Sequence, residues 1–458
     1  MHELSTFERR LAVGLDAVAG PSRTVDAMAI TRVAASRAPV GGSILSRFSA
    51  AIVRSRNARP LTVLVVIALA AALTLGALAI GSQLVRLLSV EPQPSPMPSP
   101  TLVVTPGAAV WSATGSMTVG RNWHTATKLL DGRVLVAGGE ASPSQDRLAS
   151  AEIYDPSTGI WTETTSMNVP RSFHTATLLA DGRVLVEGGE LHALGDPGAT
   201  DTAEIYDPAS GSWTITGRLN GRRQGQTATL LPDGRVLVAG GSSQGDLYDP
   251  ATGAWTLVDS FVTPREDQVA VLLADGRVLV AGGIGILNEA PSSDSAELFD
   301  PTAGTWTATG SLPVRPRRHT ATVLADGRVL VAGGIDENAR PFEFFDAAEL
   351  YDPSSGTWAP TGTMLAARYG QTAVLLLDGN VLVVGGLSYG ATTDRILATA
   401  ELFHPADGTW SAAAAMAAPR VGHTTTLLVD GSVLAAGGIS VSTGEALTSA
   451  ERYGGTAP

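Results

Sequence analysis

No cysteine occurs among the 458 residues. Disulfides, thiolate metal sites, cysteine nucleophiles and iron–sulfur clusters are therefore excluded together. Charge is sparse as well: 16% of residues are charged, and 43 acidic side chains outnumber 31 basic ones, a formal charge of −12. That balance leaves no electrostatic footprint for nonspecific nucleic-acid binding. Aromatics make up only 5%, yet hydrophobic residues reach 44% and glycines number 51. Such a composition supports a sizeable buried core and suits a β-rich protein with many tight turns.

The charge is unevenly spread. Residues 1–59 hold nine arginines against Glu3, Glu8, Asp16 and Asp26, a net of +5, whereas the chain beyond residue 91 is strongly acidic. Between them the stretch from Leu61 to Ser82 carries no charge at all. At about 1.5 Å per residue this stretch spans roughly 33 Å, enough for a hydrocarbon core of about 30 Å. It lacks the polar stripe of a soluble helix, so a single transmembrane helix is expected within residues 60–85, with a buried core helix as the alternative. Arg47, Arg54, Arg56 and Arg59 crowd its N-terminal flank and only Arg86 follows closely, which places the N-terminus in the cytoplasm and the remainder outside. Ala77-Leu78-Ala79 mimics a signal cleavage site, but a head reaching from Met1 to Arg59 is too long for an n-region, and an uncleaved anchor in the cell membrane is expected.

Within the head, Leu4, Phe7, Leu11, Leu15 and Val18 recur at helical spacing before Gly20-Pro21. They predict a short helix that lies on anionic lipid or docks a cytoplasmic partner. On the far side, residues 86–107 form a linker with six prolines between Glu91 and Gly107, which favours an extended spacer.

Residues 108–458 are built from one unit repeated seven times. Its tryptophans are Trp111, Trp161, Trp213, Trp255, Trp306, Trp358 and Trp410. Each is followed, at a spacing that never varies, by His or Gln: His124, His174, Gln226, Gln268, His319, Gln371 and His423. A second invariant spacing leads from there to Gly-Gly, which begins at Gly138 in the first unit and Gly437 in the last. An acid in an acid-apolar-aromatic triplet (Glu152, Glu204, Asp246, Glu297, Glu349, Glu401 and Glu451) precedes the next Trp, again at constant distance wherever a Trp follows. A period of 42 to 52 residues with apolar runs of strand length predicts a propeller with one four-stranded sheet per repeat. Strand a is HTATLL-like and ends at an Asp-Gly read as a two-residue hairpin turn; strand b is RVLVAGG-like, strand c AEIYD-like, and strand d begins at the Trp. The chain starts this region with a lone strand d at Trp111 and ends it with a, b and c at Tyr453, so the N-terminal strand should close the seventh sheet.

The Gly-Gly, the aromatic before Asp-Pro and the Trp resemble the kelch repeat over residues 111 to about 453. The resemblance implies an all-β, seven-bladed kelch propeller and, more often than not, a protein- or glycan-binding module. Galactose oxidase has a kelch domain of this kind, which raises a copper oxidase reading; its chemistry needs a Tyr–Cys crosslink, and this chain has no cysteine to form one.

The a–b and c–d turns share one face and are short, while all length variation falls in the b–c loops of the other, for example Glu190 to Thr202. A ligand site is expected on that loop face, around the channel mouth. Arg121, Arg171, Arg223, Arg265, Arg368 and Arg420 stand three residues before the His or Gln; in the fifth unit Pro316 interrupts, flanked by Arg315 and Arg317. These arginines read as a cationic ring for an acidic ligand or, alternatively, as partners of the strand-c acids. The residue just before the His or Gln is Gly225, Gly370 or Gly422 in three units but Trp123, Phe173, Asp267 and Arg318 in the others. Trp123 and Phe173 read as an exposed pair to stack a sugar or a peptide side chain or, alternatively, as plain loop packing. The candidate binding set is Trp123, Phe173, Arg121, Arg171, Arg223, Arg317, Arg318 and Tyr369. The recurring His/Gln reads as a hydrogen-bonding position and not a metal ligand, because Gln fills it in three units. No metal or cofactor is expected. The partner expected is a protein or glycan, an anionic one among the choices; the alternative is a cell-surface carbohydrate-processing enzyme using Glu190, His192, Asp336, Glu337 or Tyr389 at the mouth.

Overall fold

The computed structural model describes residues 109–456 apart from 142–145, 192–197, 286–292, 340–341, 390–393 and 441–443. The expected head, transmembrane helix and proline-rich linker lie outside the described residues, as does His192. Among the described residues no helix is long and apolar enough to cross a membrane.

Seven antiparallel sheets of four principal strands follow one another along the chain. In the first blade, strand a is Thr125–Lys128, b is Val134–Ala137, c is Ala151–Asp155 and d is Ile160–Glu163. Strand b is VLVA or a near variant and is buried throughout, because it is covered on both sides by neighbouring blades. Strands a of adjacent blades approach one another and line the axis. Each apolar cluster spans two blades: Leu135 and Ala137 of the first pack with Val184, Val186 and Tyr206 of the second. No blade can bury both faces alone, so the ring must close.

It closes as the unit count requires. Ala109–Ala113 pairs antiparallel with Ala450–Thr456, Trp111 facing Tyr453, at the outer edge of the seventh sheet. The Trp111 indole N–H donates to the Ala414 carbonyl at 2.9 Å, and its ring lies 5.2 Å from that of Tyr453. The other blades repeat the device, as in Trp161 donating to the Gly115 carbonyl at 2.7 Å and tilting on Tyr154. Trp306 differs: its indole N–H has no partner, and the ring packs on Phe261 at 4.2 Å.

The a–b connection has three loop residues, Leu130, Asp131 and Gly132 in the first blade, not two. Gly132 N–H donates to the Leu129 carbonyl and Leu129 N–H to the Arg133 carbonyl, with Gly132 at φ 90°. A type I turn followed by a left-handed Gly suits a three-residue hairpin. The Asp131 carboxylate accepts from the Arg133 backbone and pairs with its side chain at 2.7 Å, fixing the turn.

Glu187 is the one acid in the strand-b core. Its position is Ala in five units and Val384 in another. The side chain is 0% exposed between the second and third blades; one carboxyl oxygen meets the Thr175 hydroxyl and the other has no partner. Burial pushes its pKa well above the usual carboxylate value, against the opposing pull of Arg171 and Arg223. The folded state therefore keeps the proton that the unfolded chain loses above about pH 4.3, and stability falls by about 1.4 kcal/mol per pH unit from there toward the folded pKa. Glu187→Ala should abolish that fall: denaturant titrations should give equal stabilities near pH 4 and a more stable variant at pH 7. Parallel pH profiles for the two proteins would contradict this.

Candidate functional site at the channel mouth

At the loop face, each strand a is preceded by one residue in the left-handed region. Gly225, Gly370 and Gly422 have φ of 63 to 67°, and Trp123, Phe173, Asp267 and Arg318 have φ of 51 to 54°. These seven positions carry amide hydrogen bonds around the axis. Trp123 donates to Gly422, Phe173 to Trp123, Asp267 to Gly225, Arg318 to Asp267 and Gly370 to Arg318, at 2.9 to 3.2 Å. The ring demands positive φ, which Gly adopts freely and a side chain resists by roughly 1–2 kcal/mol. Glycine alternating with large residues at one slot is the sequence signal of this conformation.

The four side chains gather at the mouth. Trp123 and Phe173 stack at 4.9 Å and 23°. The Trp123 ring lies over Gly422, where an added Cβ would meet it at 3.0 Å. The Arg318 guanidinium sits 5.7 Å from the Trp123 ring centre and donates to the Asp267 carboxylate at 3.1 Å. Burial opposes the charge on Arg318, but the carboxylates of Asp267 and Glu337 outweigh it and raise its pKa. Arg317 bridges Asp267 and Glu337 at 3.0 Å each. Across the mouth, Arg147 bridges Glu140 and Glu190 at 2.7 Å each. Two arginines against two carboxylates, and one against two, leave the mouth neutral to slightly acidic.

The cationic ring is corrected by this geometry. Arg121 and Arg171 are 0% exposed and Arg223 is 1% exposed, each paired within its blade to the strand-c acid: Glu152 at 2.9 Å, Glu204 at 3.1 Å, and Asp246. Arg265, Arg368 and Arg420 do the same with Glu297, Glu401 and Glu451. Each guanidinium also donates to two backbone carbonyls, as Arg121 does to Gly138 and Ser150. A side chain spanning three internal acceptors cannot meet a ligand, so the alternative weighed from the sequence describes these residues. Tyr369 is buried too, its ring tilted against Phe344 at 5.5 Å. Of the candidate set, Trp123, Phe173, Arg317 and Arg318 are brought together at the mouth; Asp267, Arg147, Glu140 and Glu190 complete it.

In six of the seven units the recurring His or Gln hydrogen-bonds the preceding blade; in the remaining unit neither ring nitrogen of buried His319 has a partner. His124, His174 and His423 reach a strand-a threonine of the preceding blade (Thr424, Thr125 and Thr372) at 3.0 Å. Gln226, Gln268 and Gln371 donate instead to its strand-b carbonyl at 2.8 to 3.1 Å. Burial lowers His174 and His423 to about 3, so they stay neutral. Among the described residues no three His, Cys, Asp or Glu side chains could hold a metal ion. Glu190 and Glu337, named for the enzymatic alternative, are held in ion pairs.

The kelch motif profile matches residues 129–168. Two galactose oxidase sequences from Gibberella zeae are each 30% identical over 86 residues, 19% of this chain and 11% of the relative. The chain thus aligns with only about a tenth of those relatives. Among solved structures, a fungal alcohol oxidase of the AA5 family, in complex with copper, shares the fold with a TM-score of 0.61 at 19% identity, over 76% of each chain. This chain is a seven-bladed β-propeller that carries a kelch motif at residues 129–168 and is similar to galactose oxidase over 86 residues. Its residues do not fit a copper centre of the crosslinked kind: there is no cysteine, and the strand-a histidines are dispersed one to a blade and buried in blade contacts.

Proposed function

We propose that this chain is a membrane-anchored, extracytoplasmic kelch propeller that binds a neutral glycan at the loop-face mouth. The carrying observation is the set of four non-glycine residues held at positive φ around the axis, where three other units use Gly. Strain kept at one slot, with its side chains converging, supports a role in binding. Stacked aromatics offer apolar faces to a sugar ring, and Glu140, Glu190, Asp267 and Glu337 offer acceptors to hydroxyls. Because Arg317 and Arg318 are already neutralised, an acidic ligand gains little there.

The apolar run at residues 61–82 and the +5 head support the anchor and its orientation. The closing strand begins at Ala109 on the turn face, opposite the mouth. The galactose oxidases act, by their name, on a sugar, which favours a glycan over a peptide.

Glycan and peptide arrays probed with the chain should report neutral glycans, with the signal lost in Trp123→Gly. A preference for acidic peptides would overturn the ligand class. Turnover of a bound sugar would move the reading to a carbohydrate-processing enzyme.

A further inference from the structure

The fifth blade lacks a device that the other six share. In those six the strand-c acid meets an arginine, whose Nη1 also donates to the carbonyl of the first glycine of Gly-Gly at 2.8 to 3.2 Å. A second carbonyl, two residues before the acid, accepts from the same nitrogen. In five of them the acid takes a backbone N–H as well, for example Thr118 to Glu152 and Leu365 to Glu401.

In the fifth blade Pro316 replaces the arginine and Pro313 replaces the residue that donates its N–H. Ala347 stands where most other blades place a Ser or Thr that hydrogen-bonds the guanidinium. The acid remains. Glu349 pairs with Val331 in the register that Glu152 has with Val136, so its carboxylate and the Gly333 and Ala347 carbonyls sit where the other blades surround a guanidinium. Glu349 is 4% exposed, and among the described residues no ion pair or hydrogen bond to its carboxylate is present. Arg315 does not substitute; it is exposed and reaches toward Asp294 at 3.9 Å. Burial alone, with no neighbouring charge contributing, raises Glu349 to about 7.

We propose that the fifth blade is a cation site, in which the Glu349 carboxylate and the Gly333 and Ala347 carbonyls hold a compact cation from solvent where the other blades hold arginine. The donors are all hard oxygens, which favours an oxygen-seeking ion such as calcium, with water completing its shell. A guanidinium ion satisfies the same acceptors by the geometry seen in the six sister blades.

The test is thermal unfolding of the full-length chain in detergent at pH 8, after removal of divalent ions. Calcium chloride is titrated against potassium chloride of equal ionic strength, with millimolar guanidinium chloride as a second arm. A saturable rise in Tm of several degrees is expected with calcium or guanidinium, absent in Glu349→Gln. Retention of one calcium-45 per chain by equilibrium dialysis, lost in Glu349→Gln, distinguishes the metal from guanidinium. Pro316→Arg should raise Tm without added cation and remove the response. Equal responses of wild type and Glu349→Gln, or no response in either, would overturn the proposal.

Discussion

A chain lacking residues 108–118 is expected to lose cooperative unfolding and to aggregate. The deleted stretch includes Ala109–Ala113, the outer strand of the seventh sheet, and its loss exposes the full edge of Ala450–Thr456. An unpaired strand edge is a template for pairing with other chains. The deletion also takes Trp111 from its stack on Tyr453, Met117 from the core between the seventh and first blades, and the Thr118 N–H from Glu152. Trp111 is half-buried, so its loss takes part of the about 3–5 kcal/mol that truncating a fully buried aromatic costs, against a total stability of about 5–15 kcal/mol for a domain. Circular dichroism melts and sedimentation of the truncated and intact chains give the answer. A truncated chain that melts sharply and stays monomeric at the intact Tm would show that the ring does not need this strand.

Arg171→Ala should destabilise the propeller by about 3–5 kcal/mol, because it strands the Glu204 carboxylate in the interior. Arg171 and Glu204 are both 0% exposed, and the guanidinium also satisfies the Gly188 and Thr202 carbonyls and the Thr202 hydroxyl at 2.8 to 3.0 Å. Arg183→Ala, which breaks an exposed turn pair with Asp181, should cost at most about 1 kcal/mol. Urea titration of both variants separates the cases, and the double variant of Arg171 and Glu204 should recover part of the loss. If Arg171→Ala were as stable as Arg183→Ala while losing ligand, the arginines would form a binding ring after all.

The sequence disclosed the scaffold because each blade repeats the same contacts. Rigid spacings carried the blade count, and a lone Trp111 facing a terminal Tyr453 carried the closure. It left the arginines ambiguous, since position alone does not say whether a long side chain turns toward the axis or back to its own acid; the internal carbonyls decide that. It showed Pro316 but not its consequence, because the orphaned acid, Glu349, lies two strands further along the chain, on strand c. Trp123 and Phe173 stood out as departures from Gly, yet the positive φ that joins them to Asp267 and Arg318 is a property of the ring of amides. Glu187 was visible as VLVE among VLVA strands, and only its burial between blades gives the substitution meaning.

The most direct measurement is the binding isotherm of the strongest array glycan to the intact chain and to a double variant, Trp123→Gly with Phe173→Gly, with Tm recorded for both. Stacking aromatics contribute about 1–3 kcal/mol each as binding anchors, so the double variant should bind at least about 30-fold more weakly. Its Tm should hold or rise, since Gly relieves the strain of two left-handed residues. Unchanged affinity with a large fall in Tm would show that these rings pack the mouth and that the ligand binds elsewhere.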